Sequence, residues 1–132
     1  MNETLTRIMQ TGSEDYFELT DSEQDIFLLA SLINAVNDGD ITIFYREDCG
    51  AYHERLIELL SSLNLDEAAF VLDSLGAIFP EGYPPEDNWE RCEILEELVP
   101  EYGDLFSDWN EQIRQFLKEL EKELKKLLDN LN

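Results

Sequence analysis

The chain has 132 residues, which predicts one domain over residues 1–132 with a single buried core. Its 43% hydrophobic and 11% aromatic content excludes a disordered acidic tail, because such tails lack the apolar surface that offsets chain entropy. The 31 acidic and 9 basic residues give a net charge of −22, whereas solubility of a small domain requires a magnitude of only about 2–8. Self-repulsion at this charge destabilises the compact state, so we expect either a cationic partner or, as the simpler alternative, a solvated acidic surface.

The charge is unevenly distributed along the chain. Residues 1–113 carry 27 acidic and 4 basic residues, a net of −23, whereas residues 114–132 carry 4 acidic and 5 basic residues, a net of +1. Such an acidic body is repelled by nucleic acid and by anionic membranes, so we expect direct binding to neither. The sequence has no long apolar run, no secretory leader pattern and only two cysteines, Cys49 and Cys92. We therefore expect a reduced, cytoplasmic protein.

The first half of the chain is predicted to be helical. Residues 1–13 are expected to form a frayed or short helical start, and Thr20 with Glu23 forms a capping-box pattern that opens a long apolar helix. Asn37-Asp38-Gly39 is predicted to end that helix, since glycine suits a left-handed stop. Residues 41–46 alternate like a strand, but no partner strand is evident, so a short helix is predicted there.

The second half continues this pattern. Residues 51–63 and the helix after the cap-like sequence 64–67 predict an αα-hairpin. A proline-rich loop over residues 80–88 precedes a helix that is expected to stop at Pro100.

A last long helix is predicted from Tyr102 to the end, with apolar residues spaced as a heptad seam. The seam comprises Ile113, Leu117, Leu120, Leu124, Leu127 and Leu131. The seam belongs either to the core or, in part, to a homodimer interface that the basic row of the same helix would assist. The predicted fold is all-α, a compact bundle of about five to seven helices with a long C-terminal helix.

The chain shows no pattern typical of an enzyme or of a cofactor site. The single histidine, His53, has no second His or Cys to complete a nucleophilic arrangement, and zinc, EF-hand and phosphate-loop patterns are absent. We expect a structural or surface histidine, no catalytic residue, no cofactor and no metal site. One weaker alternative is loose divalent-cation binding by Glu96, Glu97 and Glu101.

Carboxylates recur at helical spacing and form the predicted partner-binding face. Side chains three or four residues apart on a helix are neighbours at roughly 5–6 Å, and duplex DNA carries one charge per roughly 3.4 Å of axis on each strand, so such rows can imitate its field. The predicted face comprises Glu14, Asp15, Asp21, Asp25, Glu54, Glu58, Glu86, Glu90, Glu93 and Glu97.

Several short motifs between residues 19 and 110 resemble the bacterial DNA-mimic protein family first described from Neisseria. The first is an N-x-G turn followed by an aromatic pair and a glycine, and the second is an FP … P-x-D … R stretch. In this chain they are Asn37-Asp38-Gly39, Phe44-Tyr45, Gly50, Phe79-Pro80, Pro85, Asp87 and Arg91. The lysine-rich C-terminal helix is not part of the resemblance.

The resemblance implies a compact helical fold, dimerisation, and an acidic face that occupies the DNA-binding surface of a transcription factor. The motif residues are interpreted as architectural: Gly39 permits a turn, Phe44 and Tyr45 fill the core, and Arg91 pairs with Asp87. The leading hypothesis is a DNA-mimic inhibitor of a basic DNA-binding protein. The alternative is an immunity protein that neutralises a basic toxin such as a nuclease.

Overall fold

The computed structural model describes residues 2–131, and the two terminal residues of the predicted domain lie outside this range. These residues contain seven α-helices, two short 3-10 helices at Tyr16–Glu18 and Asp48–Tyr52, and no strand. The α-helices are α1 (Glu3–Glu14), α2 (Asp21–Asn37), α3 (Thr42–Arg46), α4 (His53–Ser62), α5 (Asp66–Ala77), α6 (Asn88–Arg114) and α7 (Leu117–Asp129). The predicted all-α bundle is confirmed.

Helix α2 is the centre of the bundle. The predicted capping box is present, because Thr20 Oγ1 accepts from the Glu23 N–H at 3.2 Å and Glu23 Oε1 accepts from the Thr20 N–H at 3.0 Å. Helices α1, α3, α4, α6 and α7 all pack against α2. Such a helix must be apolar around most of its circumference, which explains its dense run of Ile, Leu, Phe and Val.

The N-terminal segment is a full helix of 12 residues. The Asn2 side chain caps it by accepting from the Leu5 N–H at 3.0 Å. Its residue Ile8 is fully buried in the core, and Arg7 forms an ion pair with Glu23 of α2. Packing against α2 therefore orders a segment whose polar sequence indicates only a weak helix.

The turn after α2 and the following short helix agree with the sequence prediction. Gly39 has φ +84°, the left-handed conformation expected of a residue that ends a helix. Residues 42–46 are helical, and the Asp40 carboxylate accepts from both the N–H and the hydroxyl of Thr42. Phe44 and Tyr45 are buried in the core, as the motif implied.

Helices α4 and α5 form the predicted hairpin, but its connection differs from the predicted cap. No side chain caps the start of α5. Asn64 adopts φ +63° instead, so it reverses the chain by its backbone conformation, which asparagine tolerates better than most residues.

The C-terminal helical region is long, as predicted, and it is bent twice. Helix α6 runs through Pro100, and the break predicted there is a kink with non-helical angles at Tyr102. The predicted helix from Tyr102 to the end divides at Gln115 and Phe116, where the chain turns back so that α7 packs against α2. In the apolar seam, Ile113 and Leu120 are fully buried and the other members are half-buried against the core. The seam therefore packs against the core, and the homodimer that its half-buried members could also form stays a prediction.

Candidate partner-binding surface

An open groove of about 440 Å³ collects carboxylates from three separate parts of the chain. We call it the acidic groove and define it by Glu14 and Asp15 at the end of α1, Asp48 before α4, and Glu86 and Asp87 before α6. No Lys or Arg is among the described residues that line it. The groove therefore concentrates negative charge at the surface of the molecule.

A buried arginine holds two of these three segments together. Arg91, on the first turns of α6, is fully buried and uses its whole guanidinium group. Nε donates to the carbonyl of Tyr45 at 2.7 Å, and Nη2 donates to the carbonyl of Glu47 at 2.6 Å. The remaining donors reach the Pro85 and Glu86 carbonyls at 2.9 and 3.1 Å and Asn88 Oδ1 at 2.7 Å.

These five bonds match the five N–H donors of a guanidinium group. The arginine thus ties the chain just before Asp48 to the loop that carries Glu86 and Asp87. A side chain is excluded at Gly50, because a Cβ there would lie 2.6 Å from Nε of Arg91 and 2.9 Å from Cα of Tyr45. The glycine permits the close approach on which this side of the groove depends.

The predicted pairing of Arg91 with Asp87 is wrong. The Asp87 carboxylate instead caps α6, because its Oδ2 accepts from the Glu90 N–H at 2.8 Å. Carbonyl oxygens and one amide oxygen accept all the hydrogen bonds of the buried guanidinium group. The Asp87 carboxylate is exposed at the groove. The architectural role implied for Arg91 agrees with its complete burial.

Aromatic rings line the floor and rim of the acidic groove. Tyr16 and Tyr52 stack with ring centroids 3.7 Å apart and an interplanar angle of 12°. Phe17 stands on edge to both, with centroids 5.5 Å from Tyr16 and 6.0 Å from Tyr52. The Asp15 carboxylate accepts from the Phe17 N–H at 3.1 Å and so fixes this short helical turn at the groove.

The acidic surroundings act on the titration of the groove tyrosines. The pKa of Tyr52 is raised by burial first, and then by the negative charges of Asp48, Asp15 and Glu86. Burial also raises the pKa of Tyr16 to about 12. Carboxylates from all three chain segments therefore raise the pKa of Tyr52, which agrees with their convergence on one groove.

The remaining predicted site residues lie elsewhere on the surface. Asp21 and Asp25 share the first turns of α2, as the spacing indicated, but Asp25 is ion-paired with Arg55 of α4 at 3.0 Å. Glu54 and Glu58 are exposed on α4. Part of the negative charge of Asp25 is therefore neutralised within the molecule.

A row of carboxylates continues from the acidic groove along α6. Glu90, Glu93 and Glu97 are all exposed on this helix at the spacing of side-chain neighbours. Glu86, which was predicted as the first member of the row, lies in the loop before the helix and lines the groove instead. The row and the groove meet at the start of α6.

Asp48 was not predicted as a site residue, and Asp87 was predicted to be only architectural. No local pattern marks Asp48, because its proximity to Asp15 and Glu86 depends on contacts between segments more than 30 residues apart. The sequence indicates the exposure of Phe17 only weakly, through the acidic residues on either side of it.

His53 is structural, as expected. It is buried, its Nδ1 is 2.8 Å from the hydroxyl of Tyr45, and burial lowers its pKa to about 4. Cys49 and Cys92 are free thiols. Within residues 2–131 no three His, Cys, Asp or Glu side chains converge as a metal site, and no helix combines the length and apolarity needed to cross a membrane.

The comparisons with known proteins give one match. The family model described as DMP19-like protein matches residues 17–131, and it thus includes the C-terminal helices that the motif resemblance did not cover. No curated protein and no solved structure matches the chain. The match includes Asp48, Glu86 and Asp87 of the acidic groove and begins after Glu14 and Asp15. Because the matched region spans most of the chain, the chain belongs to the DMP19-like family, the DNA-mimic family that its motifs resemble.

Proposed function

We propose that this protein is an acidic DNA-mimic inhibitor, which binds a basic DNA-binding protein such as a transcription factor and blocks its access to DNA. The observation that carries the proposal is the convergence of Glu14, Asp15, Asp48, Glu86 and Asp87 on one groove without a lining cation. Membership of the DNA-mimic family supports the same function.

The arrangement suits competition with DNA for physical reasons. A DNA-binding protein aims Lys and Arg side chains at phosphates, and carboxylates held at fixed positions can take those side chains instead. The acidic groove and the α6 row of Glu90, Glu93 and Glu97 are anchored to a folded body, so little conformational entropy is lost when they bind. Because the attraction is mainly between exposed charges, affinity should fall steeply with added salt.

The partner can be identified by affinity capture from the native host at low salt, with the retained proteins identified by mass. The retained protein is then bound to its DNA, and the acidic protein is added in a gel-shift assay. We expect the DNA to be released in proportion to the added protein. A retained protein that keeps its DNA, or one that is not basic, contradicts the proposal, and a retained toxin nuclease favours the immunity alternative.

Two variants of equal charge change test whether the acidic groove is the binding face. The groove variant neutralises four carboxylates with isosteric amides: E14Q, D15N, D48N and E86Q. The control variant neutralises four exposed carboxylates on the second half of α6: E101Q, D104N, D108N and E111Q.

We expect the groove variant to release at least tenfold less DNA than the control variant at equal concentration. Equal effects of the two variants would show that only total charge matters and that the groove is not the face. Asn at position 15 retains the side-chain oxygen that caps the turn at Phe17, so the fold should survive the change.

A further inference from the structure

Two large aromatic side chains are exposed on or next to the chain segments that form the acidic groove, whereas most other aromatics within residues 2–131 are at least half-buried. Phe17 lines the groove and is 76% exposed. Trp89 follows the groove-lining Asn88 on the first turn of α6 and is 74% exposed. Exposed aromatics at a charged surface are typical of binding anchors, because Trp and Tyr dominate interface energetics and exposed apolar rings gain by burial.

Specific contacts fix both the backbone and the ring of Phe17. Asp15 fixes its backbone, and the stacked pair of Tyr16 and Tyr52 holds its ring on edge. The ring therefore presents a face to solvent beside carboxylates from three chain segments. A rigid aromatic anchor loses little side-chain entropy on binding.

An aromatic face next to carboxylates fits one kind of cation better than another. A guanidinium group is planar, stacks on aromatic rings and forms bidentate hydrogen bonds with carboxylates, whereas a lysine ammonium is a strongly hydrated point charge. The phosphate backbone of DNA has no exposed phenyl ring. Stacking on Phe17 is therefore an interaction that mimicry of DNA charge does not provide.

Resting on the proposed function, we propose that Phe17 and Trp89 are anchors that select arginine side chains of the partner protein, stacking on the guanidinium groups while neighbouring carboxylates bind them. The partner surface is then an arginine-bearing helix or loop. Affinity consequently has a part that salt does not screen, because ring contacts are not long-range electrostatic interactions.

The test uses the full chain and two fluorescein-labelled dodecapeptides, one of alternating Arg and Ser and one of alternating Lys and Ser. Binding is measured by fluorescence anisotropy at several salt concentrations. We expect the arginine peptide to bind about fivefold more tightly, which corresponds to one exposed cation–π contact. The changes F17A and W89A should each reduce this preference and leave the salt dependence unchanged, and the double variant should remove the preference.

Phe70 provides the matched control, because it is 71% exposed on α5 and lines a different groove. F70A should retain the arginine preference. F17L keeps apolar volume but has no aromatic face, so it should reduce the preference as much as F17A does while folding as the natural chain does.

Equal binding of both peptides to the natural chain overturns the arginine inference and leaves the proposed function standing. A preference that F17L leaves at its full size, or one that F70A reduces as much as F17A does, overturns it as well. Failure of both peptides to bind at low salt overturns this inference, whereas the gel-shift assay with the captured partner decides the proposed function. Arginine preference combined with a captured partner that keeps its DNA supports the anchors and contradicts only the inhibitor function.

Discussion

Replacing Arg91 with lysine should lower the free energy of unfolding by about 4 kcal/mol. Lysine offers three donors from one atom in place of the planar fork, so at least two of the five acceptors around position 91 lose their donor. A hydrogen bond to a charged group contributes about 1.5–3 kcal/mol. The bond to the Tyr45 carbonyl is buried and the other four are partly buried. This loss is a large fraction of the roughly 5–15 kcal/mol that stabilises a typical domain.

The measurement is urea unfolding followed by circular dichroism at 222 nm, with the midpoint and slope compared between variants. Arg46 supplies the control, because it is half-buried and its Nε makes a single side-chain bond to Thr42 Oγ1 at 3.2 Å. We expect R46K to change the free energy of unfolding by less than about 1 kcal/mol. If R91K and R46K differed by less than 1 kcal/mol, the five-bond account of Arg91 would be refuted.

The other predictions concern the buried histidine, the hairpin and the cap of α2. Because burial depresses the pKa of His53 from 6.5 to about 4, its contribution to stability is complete above pH 6.5 and is lost as pH falls towards 4. Between pH 7 and 5 this loss is about 2 kcal/mol, and urea midpoints at both values should show that H53Q lacks it. G76A should cost about 1–3 kcal/mol, since a Cβ there would lie 2.5 Å from His53 Nε2, whereas G103A, with no atom within 4 Å, should be neutral or slightly stabilising in thermal melts. T20A removes the capping box and should cost about 1 kcal/mol, and an unchanged melting temperature would contradict that assignment.

Local elements were predictable because their causes lie within a few residues. The Thr20 cap and the stop at Gly39 depend on side chains and backbone angles at those positions alone. The short helix at residues 42–46 was predicted by exclusion, since an isolated strand cannot satisfy its hydrogen bonds. The division at Gln115 and Phe116 was not predictable, because no Gly or Pro marks it and the turn allows the leucine seam to pack against α2.

The candidate site was predictable only in part. Glu14, Asp15 and Glu86 were expected on a partner-binding face and do line the acidic groove. Their common place beside Asp48 was not predictable, because it depends on a guanidinium group whose acceptors are mostly backbone carbonyls. Carbonyl groups are present at every residue, so no sequence pattern identifies which of them an arginine will bind.

By itself, the sequence determined the helical class, the main caps and an excess of negative charge, because helix periodicity, capping and composition are properties of neighbouring residues and of counts. Only the tertiary structure decided that carboxylates from residues 14–15, 48 and 86–87 share one groove with an exposed phenyl ring at its edge. The physical reason is that such convergence depends on close packing and buried hydrogen bonds between distant segments. The energies of packing and hydrogen bonding depend on distances in the folded chain, and the order of residues does not give those distances.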